Sequence, residues 1–404
     1  MDRSDRSGIR NVCVIGQAAL PCSRFQTPDE AEIQTVEHEI LADVVVRAVA
    51  EAGIGKSDID SLIFTHPRTY TKQRYFATFM ANYLRLRCSG VVMEVIGNGM
   101  TGGLAFDQAV MQVASGVADV ALALGISVET AVPRTTHLAY QMRSNGDVDF
   151  HAPFGFTPRV WYGMDVARYF HEYGATREQL AAVAVKDHWH GSLNPLSIRG
   201  TPFTRDQILA EAPLVDGMGL LELAIPADGA ICLVLAREEI AKSLGKPYAR
   251  VTGRGFYHEG VHEISEVPND MLAMASCARS AQDAFAQAGI TPADVSLAEL
   301  YAGSTIIEVL ASEAMGFAPR GKGAQLAVEG ETRLGGRIPI NTSGAPISRG
   351  HPAYLTPLYG VYELVEQLRG QAGARQVKNA TIGAMMSELG NFSGASVHVL
   401  EAGR

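Results

Sequence analysis

The sequence predicts a layered α/β protein made of two related halves, and two observations carry that expectation. One is an internal echo: Ala48-Val49-Ala50-Glu51-Ala52-Gly53-Ile54, followed by Asp58, returns as Ala284-Phe285-Ala286-Gln287-Ala288-Gly289-Ile290, followed by Asp294. The other is alternation, in which short continuous apolar runs suited to buried strands are separated by segments with apolar residues at helical spacing.

Taken in order, Val12–Ile15 predicts the first strand. The helix ending at Ala52 stops at Gly53, because a C′ position needs positive φ and only glycine reaches it without steric cost. A short Asp58-bearing turn then leads into a strand at Ser61–Thr65. Ala105–Ser115 predicts a helix and Val117–Gly125 a buried strand. From about Ser127 to Pro213 the rhythm breaks into Pro-, His- and aromatic-rich sequence with an amphipathic piece at Trp161–Tyr173, read as an inserted loop domain over the active site. Strand Ala230–Ala236 closes the first half, expected to span 1–250. The second half, 251–404, repeats the scheme: a helix closed by Gly289, an Asp294 turn, strand Leu297–Leu300 and helix Ile306–Met315.

Composition narrows the function classes. With 404 residues, 47% hydrophobic and 19% charged, the chain can bury two domain-sized cores. The net charge of −9 comes from interspersed charges with no Lys/Arg block, which argues against nucleic acid as a partner. Five cysteines, Cys13, Cys22, Cys88, Cys232 and Cys277, are odd in number and scattered, as expected of reduced thiols in a cytoplasmic protein. The N-terminal MDRSDRSGIRN lacks the apolar core of a signal peptide. No apolar run approaches the roughly 20 residues that span a bilayer.

The densest motif is Asn341–Pro352, NTSGAPISRGHP, ending in Gly350-His351-Pro352. With it go Asp228-Gly229-Ala230 before a strand, His188–Pro195 (HWHGSLNP), Glu299–Thr305 (ELYAGST) and Tyr362–Gly370. Together these resemble the thiolase superfamily, in particular its lipid-transfer-protein branch, over nearly the whole chain. The resemblance implies the five-layered αβαβα fold, normally as a homodimer.

Three departures from the family pattern all strike thiol chemistry. Where thiolases carry a Cys-Ala-Ser-Gly-Gly-like turn this chain reads Gly99-Met100-Thr101-Gly102-Gly103, with Asn98 beside the vacated nucleophile position. Tyr301 stands where the family has His or Asn, and Met385–Gly390, the turn that often supplies a second cysteine, contains none. Without sulfur an acyl group cannot be held covalently between the two steps of thiolysis. A retro-aldol cleavage has no such need: a β-hydroxyacyl thioester that loses its hydroxyl proton expels a ketone or aldehyde and leaves a thioester enolate. That enolate needs a fixed oxyanion donor, for which His351 is the candidate, together with a base and an acid, for which Tyr301 and Tyr354 are the candidates in an order left open. A phenol of ordinary pKa about 10 acts as a base near neutrality only beside a cation or donor that stabilises phenolate.

The pattern is similar to the thiolase-like aldolases of steroid side-chain degradation, which lack the catalytic cysteine. That resemblance implies a CoA thioester as substrate, no covalently bound cofactor, and a small OB-fold, zinc-ribbon accessory protein beside the homodimer. Two alternatives stand: an acyltransferase with another nucleophile, Cys88 being nearest in sequence, or a non-catalytic lipid carrier or scaffold.

The remaining candidates have plainer readings. Asn98 with Gly99 either orients a substrate carbonyl or simply forms an Asn-Gly turn. His188 belongs to a substrate-facing segment in the family; with His190 it also has zinc-like spacing, but no third ligand is visible and no metal is expected. Gly350 is expected to shape the histidine's turn against substrate. Tyr359 and Tyr362, at helical spacing, read as core, and Ser343 and Ser348 as turn residues. Gly253-Arg254-Gly255 and Gly321-Lys322-Gly323 complete no nucleotide-binding motif.

Overall fold

The computed structural model describes residues 11–25, 36–68, 71, 73–144, 147–260, 270–389 and 393–403. The N-terminal stretch weighed as a leader therefore lies, up to residue 10, outside the described residues, as does Gly390 of the late turn.

Nine strands form one sheet: β1 (Val12–Ala19), β2 (Ser61–Thr65), β3 (Val92–Glu94), β4 (Val120–Ser127), β5 (Gly229–Arg237), β6 (Tyr248–His258), β7 (Leu297–Leu300), β8 (Ile382–Glu388) and β9 (Gly394–Gly403). Their order is β3-β2-β4-β5-β1-β6-β9-β8-β7. Within each half the connectivity repeats. β2 runs parallel to β4, β4 antiparallel to β5 and β5 antiparallel to β1. Likewise β7 runs parallel to β8, β8 antiparallel to β9 and β9 antiparallel to β6. The halves join where Val12–Val14 of β1 pair with Ala249–Val251 of β6, so β6 crosses the expected division at residue 250.

The helices follow the same symmetry. In the first half come α1 (Glu37–Ala52), α2 (Phe76–Leu84) and α3 (Thr101–Ala114); the insertion carries α4 (Arg134–Ser144), α5 (Pro158–Tyr173), α6 (Arg177–Ser192) and α7 (Arg205–Ala210). After β5 come α8 (Glu238–Ser243), α9 (Ala275–Ala288), α10 (Thr305–Ala314), α11 (Gly323–Val328) and α12 (Thr356–Leu368). The duplicated motif ends α1 and α9, where Gly53 and Gly289 adopt φ of 81° and 69°. Each copy's aspartate then ties its turn: Asp58 accepts from Gly55 N, and Asp294 from Thr291 N, both at 2.8 Å.

Alternation along the strands sorts side chains into three cores, as a period of two requires. On β5, Ala230, Cys232, Val234 and Ala236 face α1 and α2, whereas Ile231, Leu233 and Leu235 face α3 and α12. On β8, Met385 joins that same central core, and Ala384 and Met386 face α9 and α10. The two halves of this one continuous sheet thus sandwich α3 and α12, with α1 and α2 covering one outer face and α9 and α10 the other, which is the five-layered arrangement.

Two sequence expectations shift. Strand β4 begins at Val120 rather than Val117 because Gly116, at φ 80°, closes α3, and Asp60 Oδ2 accepts from the Asp119 and Val120 amides. The insertion is more regular than its Pro, His and aromatic content suggested. His188 and His190 lie on helix α6, which opens with a Thr176/Gln179 capping box.

Candidate active site

Two loops build the site. The first is Asn341–Pro352, where Asn341, Gly344, Ala345 and Gly350 all take positive φ. Such strain persists only when the surroundings fix it, and here buried polar groups do. Asn341 Oδ1 accepts from Leu300 N at 2.7 Å and its Nδ2 donates to Glu308 at 2.6 Å. Glu308 in turn pairs with buried Lys186, which also meets Asp187. Ser343 donates from N and Oγ to Glu299 at 3.0 and 2.6 Å, and Arg349 donates to Ser343 Oγ at 2.9 Å. Gly350, at φ 114°, has no room for a side chain, since a Cβ would lie 2.8 Å from Cys22 Cβ. The loop thus delivers His351, whose backbone N donates to Ile225 O at 2.8 Å.

The second loop follows β7. Tyr301 N donates to Met386 O, and its hydroxyl lies 3.3 Å from His351 Nε2, the rings edge to face. His351 Nδ1 lies 2.9 Å from Thr356 Oγ1. Around them Asn98, Glu129, His137, Arg159, Tyr162 and Tyr354 complete a cavity of about 120 Å³. That is below the roughly 300–1,000 Å³ of small-molecule sites, so it encloses the reacting end of a ligand and not the whole of one.

Gly99 is buried at the edge of this cluster. A Cβ there would sit 2.7 Å from the Glu388 carbonyl oxygen and 2.9 Å from the Tyr301 hydroxyl. The phenol therefore fills the space that a nucleophilic side chain at this position would occupy. Gly102 is required for a similar reason, since its Cβ would meet Tyr354 O at 2.8 Å.

Electrostatics set the protonation states. Burial, then Glu388, pushes the Tyr301 phenol well above its ordinary pKa; burial, then Glu129, pushes Tyr354 up. Both are neutral phenols near neutrality, and the charges that perturb them are carboxylates rather than the cation a phenolate base would require. Burial, then Arg349 and His137, brings His351 down to about 3, so its imidazole is neutral. Glu129, buried, is pushed up to about 8 by desolvation, with Asp228 adding to the rise.

Of the residues singled out in the sequence, His351, Tyr301, Tyr354 and Asn98 come together around the cavity; Gly99, against Tyr301, and Gly350, against Cys22 and Ala227, pack behind it and are not among its lining residues. Asn98 also serves the turn, at φ 46°, its amide donating to Ser144 O. His188 is not brought there: it is fully buried on α6, its Nε2 2.9 Å from Leu221 O. His190 is engaged on both nitrogens, by Asn341 O and Leu334 N. Among the described residues no three His, Cys, Asp or Glu side chains gather as a metal would need. Tyr359 is core, its hydroxyl donating to Leu20 O. Ser343 and Ser348 are spent on Glu299 and on the Arg199 carbonyl. Among the described residues no cysteine lines the cavity.

Sequence reasoning missed Glu129, His137, Arg159 and Tyr162. Glu129 carried a signal: it is a carboxylate two residues past a nearly all-apolar strand that ends in Ser127, at the carboxyl end of β4, where sites on α/β sheets gather.

Similarity to known proteins identifies the family and the fold. Residues 12–197 match the family model for the thiolase N-terminal domain, and residues 258–402 that for the thiolase C-terminal domain-like fold. The chain belongs to the thiolase superfamily. Among its thiolase relatives, an acetyl-CoA acetyltransferase of Methanothermobacter thermautotrophicus is 30% identical, covering 89% of this chain and 93% of that protein. A steroid side-chain-cleaving aldolase of Thermomonospora curvata is also 30% identical, covering 83% and 86%. A solved Ltp2-ChsH2(DUF35) aldolase superposes with a TM-score of 0.82 at 25% identity over 98% of both chains. No described helix of this thiolase-superfamily member is long and apolar enough to cross a membrane.

Proposed function

We propose that this chain is a thiolase-like carbon–carbon lyase that cleaves a β-hydroxyacyl-CoA, with a bulky acyl part of the steroid side-chain type, into a ketone or aldehyde and a shortened acyl-CoA. The observation that carries the reading is the Tyr301 hydroxyl standing 2.9 Å from where a Cβ on residue 99 would be. A cysteine at that position would have to displace this phenol, which argues against an acyl-enzyme route. Relatives named as an aldolase and as a CoA-thioester lyase point the same way.

This mechanism assigns the tautomer in which the Thr356 hydroxyl, 2.9 Å from His351 Nδ1, donates to it and the imidazole proton is on Nε2, beside the Tyr301 hydroxyl. That N–H donates to the thioester oxygen as the enolate forms. The neutral phenols of Tyr301 and Tyr354 are proton donors, one of them to the enolate carbon. CoA enters and leaves as the thioester of the acyl group, and the chemistry asks for no bound cofactor. The neighbouring aldolase was solved as a complex with a DUF35 protein. By analogy we extend the proposal to a homodimer joined by a small partner of that kind.

The acyltransferase alternative draws on the acetyltransferase relative. Its nearest nucleophile, Cys88, has its thiol pKa raised by burial and Asp60, the opposite of an activated thiol. Incubation with a β-hydroxyacyl-CoA and product analysis tests the reading: a free carbonyl compound supports the lyase, whereas acyl transfer to CoA from a β-ketoacyl-CoA overturns it.

A further inference from the structure

The lyase proposal requires a base for the β-hydroxyl proton, and the phenols are poor candidates in their neutral, buried state. Among the described residues lining the cavity, Glu129 is the one carboxylate. It stands on the short turn after β4, and its Oε1 is held by two donors, Ser127 Oγ at 3.0 Å and Ala353 N at 2.8 Å. Ala353 lies between Pro352 and Tyr354, so this clamp fixes the carboxylate against the very turn that carries His351 and Tyr354. Both of these bonds go to Oε1, on a side chain that lines the cavity. Groups facing it are Asp228 ahead of β5, Tyr301 after β7, Tyr354 beside its own hydrogen-bond donor, and His137 and Arg159 across the cavity on α4 and α5.

We infer that Glu129 is the general base of the reaction, a role that rests on the lyase reading above. Its carboxylate takes the β-hydroxyl proton. The bond between the α and β carbons breaks, the β carbon becomes the carbonyl of the released ketone or aldehyde, and the electron pair moves into the thioester enolate. A phenol, Tyr354 in this account, gives its proton to the α carbon, and Glu129 returns the proton it took to that phenol. No proton is gained or lost over the cycle. A carboxyl held at about 8 suits the task, because a base is most effective when its pKa lies near the working pH.

Glu129→Gln separates this role from a structural one, since the amide oxygen still accepts from Ser127 and Ala353. The expected result is a fall in kcat of about 100-fold or more with unchanged KM, partial recovery in Glu129→Asp, and loss of the ascending pH limb, with its midpoint at about 8, that wild type should show. A second readout needs no activity. A carboxyl raised from 4.5 to about 8 stabilises the fold fully below the lower value and loses that contribution as pH rises through the upper one. Wild-type melting should therefore decline relative to Glu129→Gln between those limits. Cleavage by Glu129→Gln within a few-fold of wild type overturns the inference while leaving the lyase reading intact. A wild-type enzyme that releases no carbonyl product overturns the lyase reading and the inference together, even where the melting difference is present.

Discussion

Placing a single methyl group at Gly99 tests the exchange of cysteine for tyrosine. In Gly99→Ala the new Cβ meets the Glu388 carbonyl at 2.7 Å, the Tyr301 hydroxyl at 2.9 Å and its Cζ at 3.1 Å. Strand β8 cannot yield easily, because it is paired on one side with β7 and on the other with β9. The phenol must therefore swing, by about 0.5 Å or more to restore ordinary contacts in a close-packed interior. That motion breaks its 3.3 Å contact with His351. Overpacking of this kind costs about 1–3 kcal/mol, and displacing a group from the reacting centre costs roughly 100-fold in rate. Denaturant melting and lyase turnover of Gly99→Ala and Gly99→Cys are the measurements. On a Tyr301→Phe background the stability cost of Gly99→Ala should shrink by about 1 kcal/mol, because the nearer of the two phenol contacts is gone. Wild-type stability and turnover in Gly99→Ala, or acyl transfer through a covalently acylated cysteine in Gly99→Cys, would refute the reasoning.

His351→Ala should leave melting unchanged and lower turnover by about 100-fold or more, as expected for loss of one oxyanion donor worth ~3 kcal/mol, measured by steady-state kinetics. Tyr301→Phe and Tyr354→Phe should lose rate with melting preserved; stability lost with rate preserved would return both rings to the core. A thiol-blocking reagent should leave turnover intact at early times, since no cysteine among the described residues lines the cavity; rapid stoichiometric inactivation traced to Cys88 by peptide mapping would favour the acyltransferase. Asp107, whose carboxyl is held far down by hydrogen bonds from His398 and Arg254 despite its desolvation, contributes stability that is present above its unfolded pKa. Stability is lost as pH falls through the folded value, and Asp107→Asn should cost about 1.5–3 kcal/mol at neutral pH by urea unfolding. Mass measurement in solution should give a dimer at micromolar concentration, and co-expression with a DUF35-type partner should raise lyase activity over the isolated chain.

The sequence by itself determined the duplicated architecture and the identity of the loop that carries His351. Both are local: a glycine at a helix end fixes its own φ, an apolar run fixes a buried strand, and the echo of one helix end in another exposes the repeat. Ser61–Thr65 and Leu297–Leu300 are strands with the very bounds the apolar runs suggested. The gap left by Gly99 was equally legible, because an absent side chain needs no neighbour to be noticed. Tertiary structure alone decided what fills it. Residues 99 and 301 meet only because α3 and the end of β7 converge beside the central layer, and no spacing in the chain encodes that distance. The same holds for protonation. Tyr301 sits beside carboxylates rather than cations, and Glu129 is clamped by a backbone amide 224 residues away, so the burial and charges that set their proton affinities come from distant segments. His188 shows the converse: its motif was plain in sequence, yet the turn of α6 points it into the core.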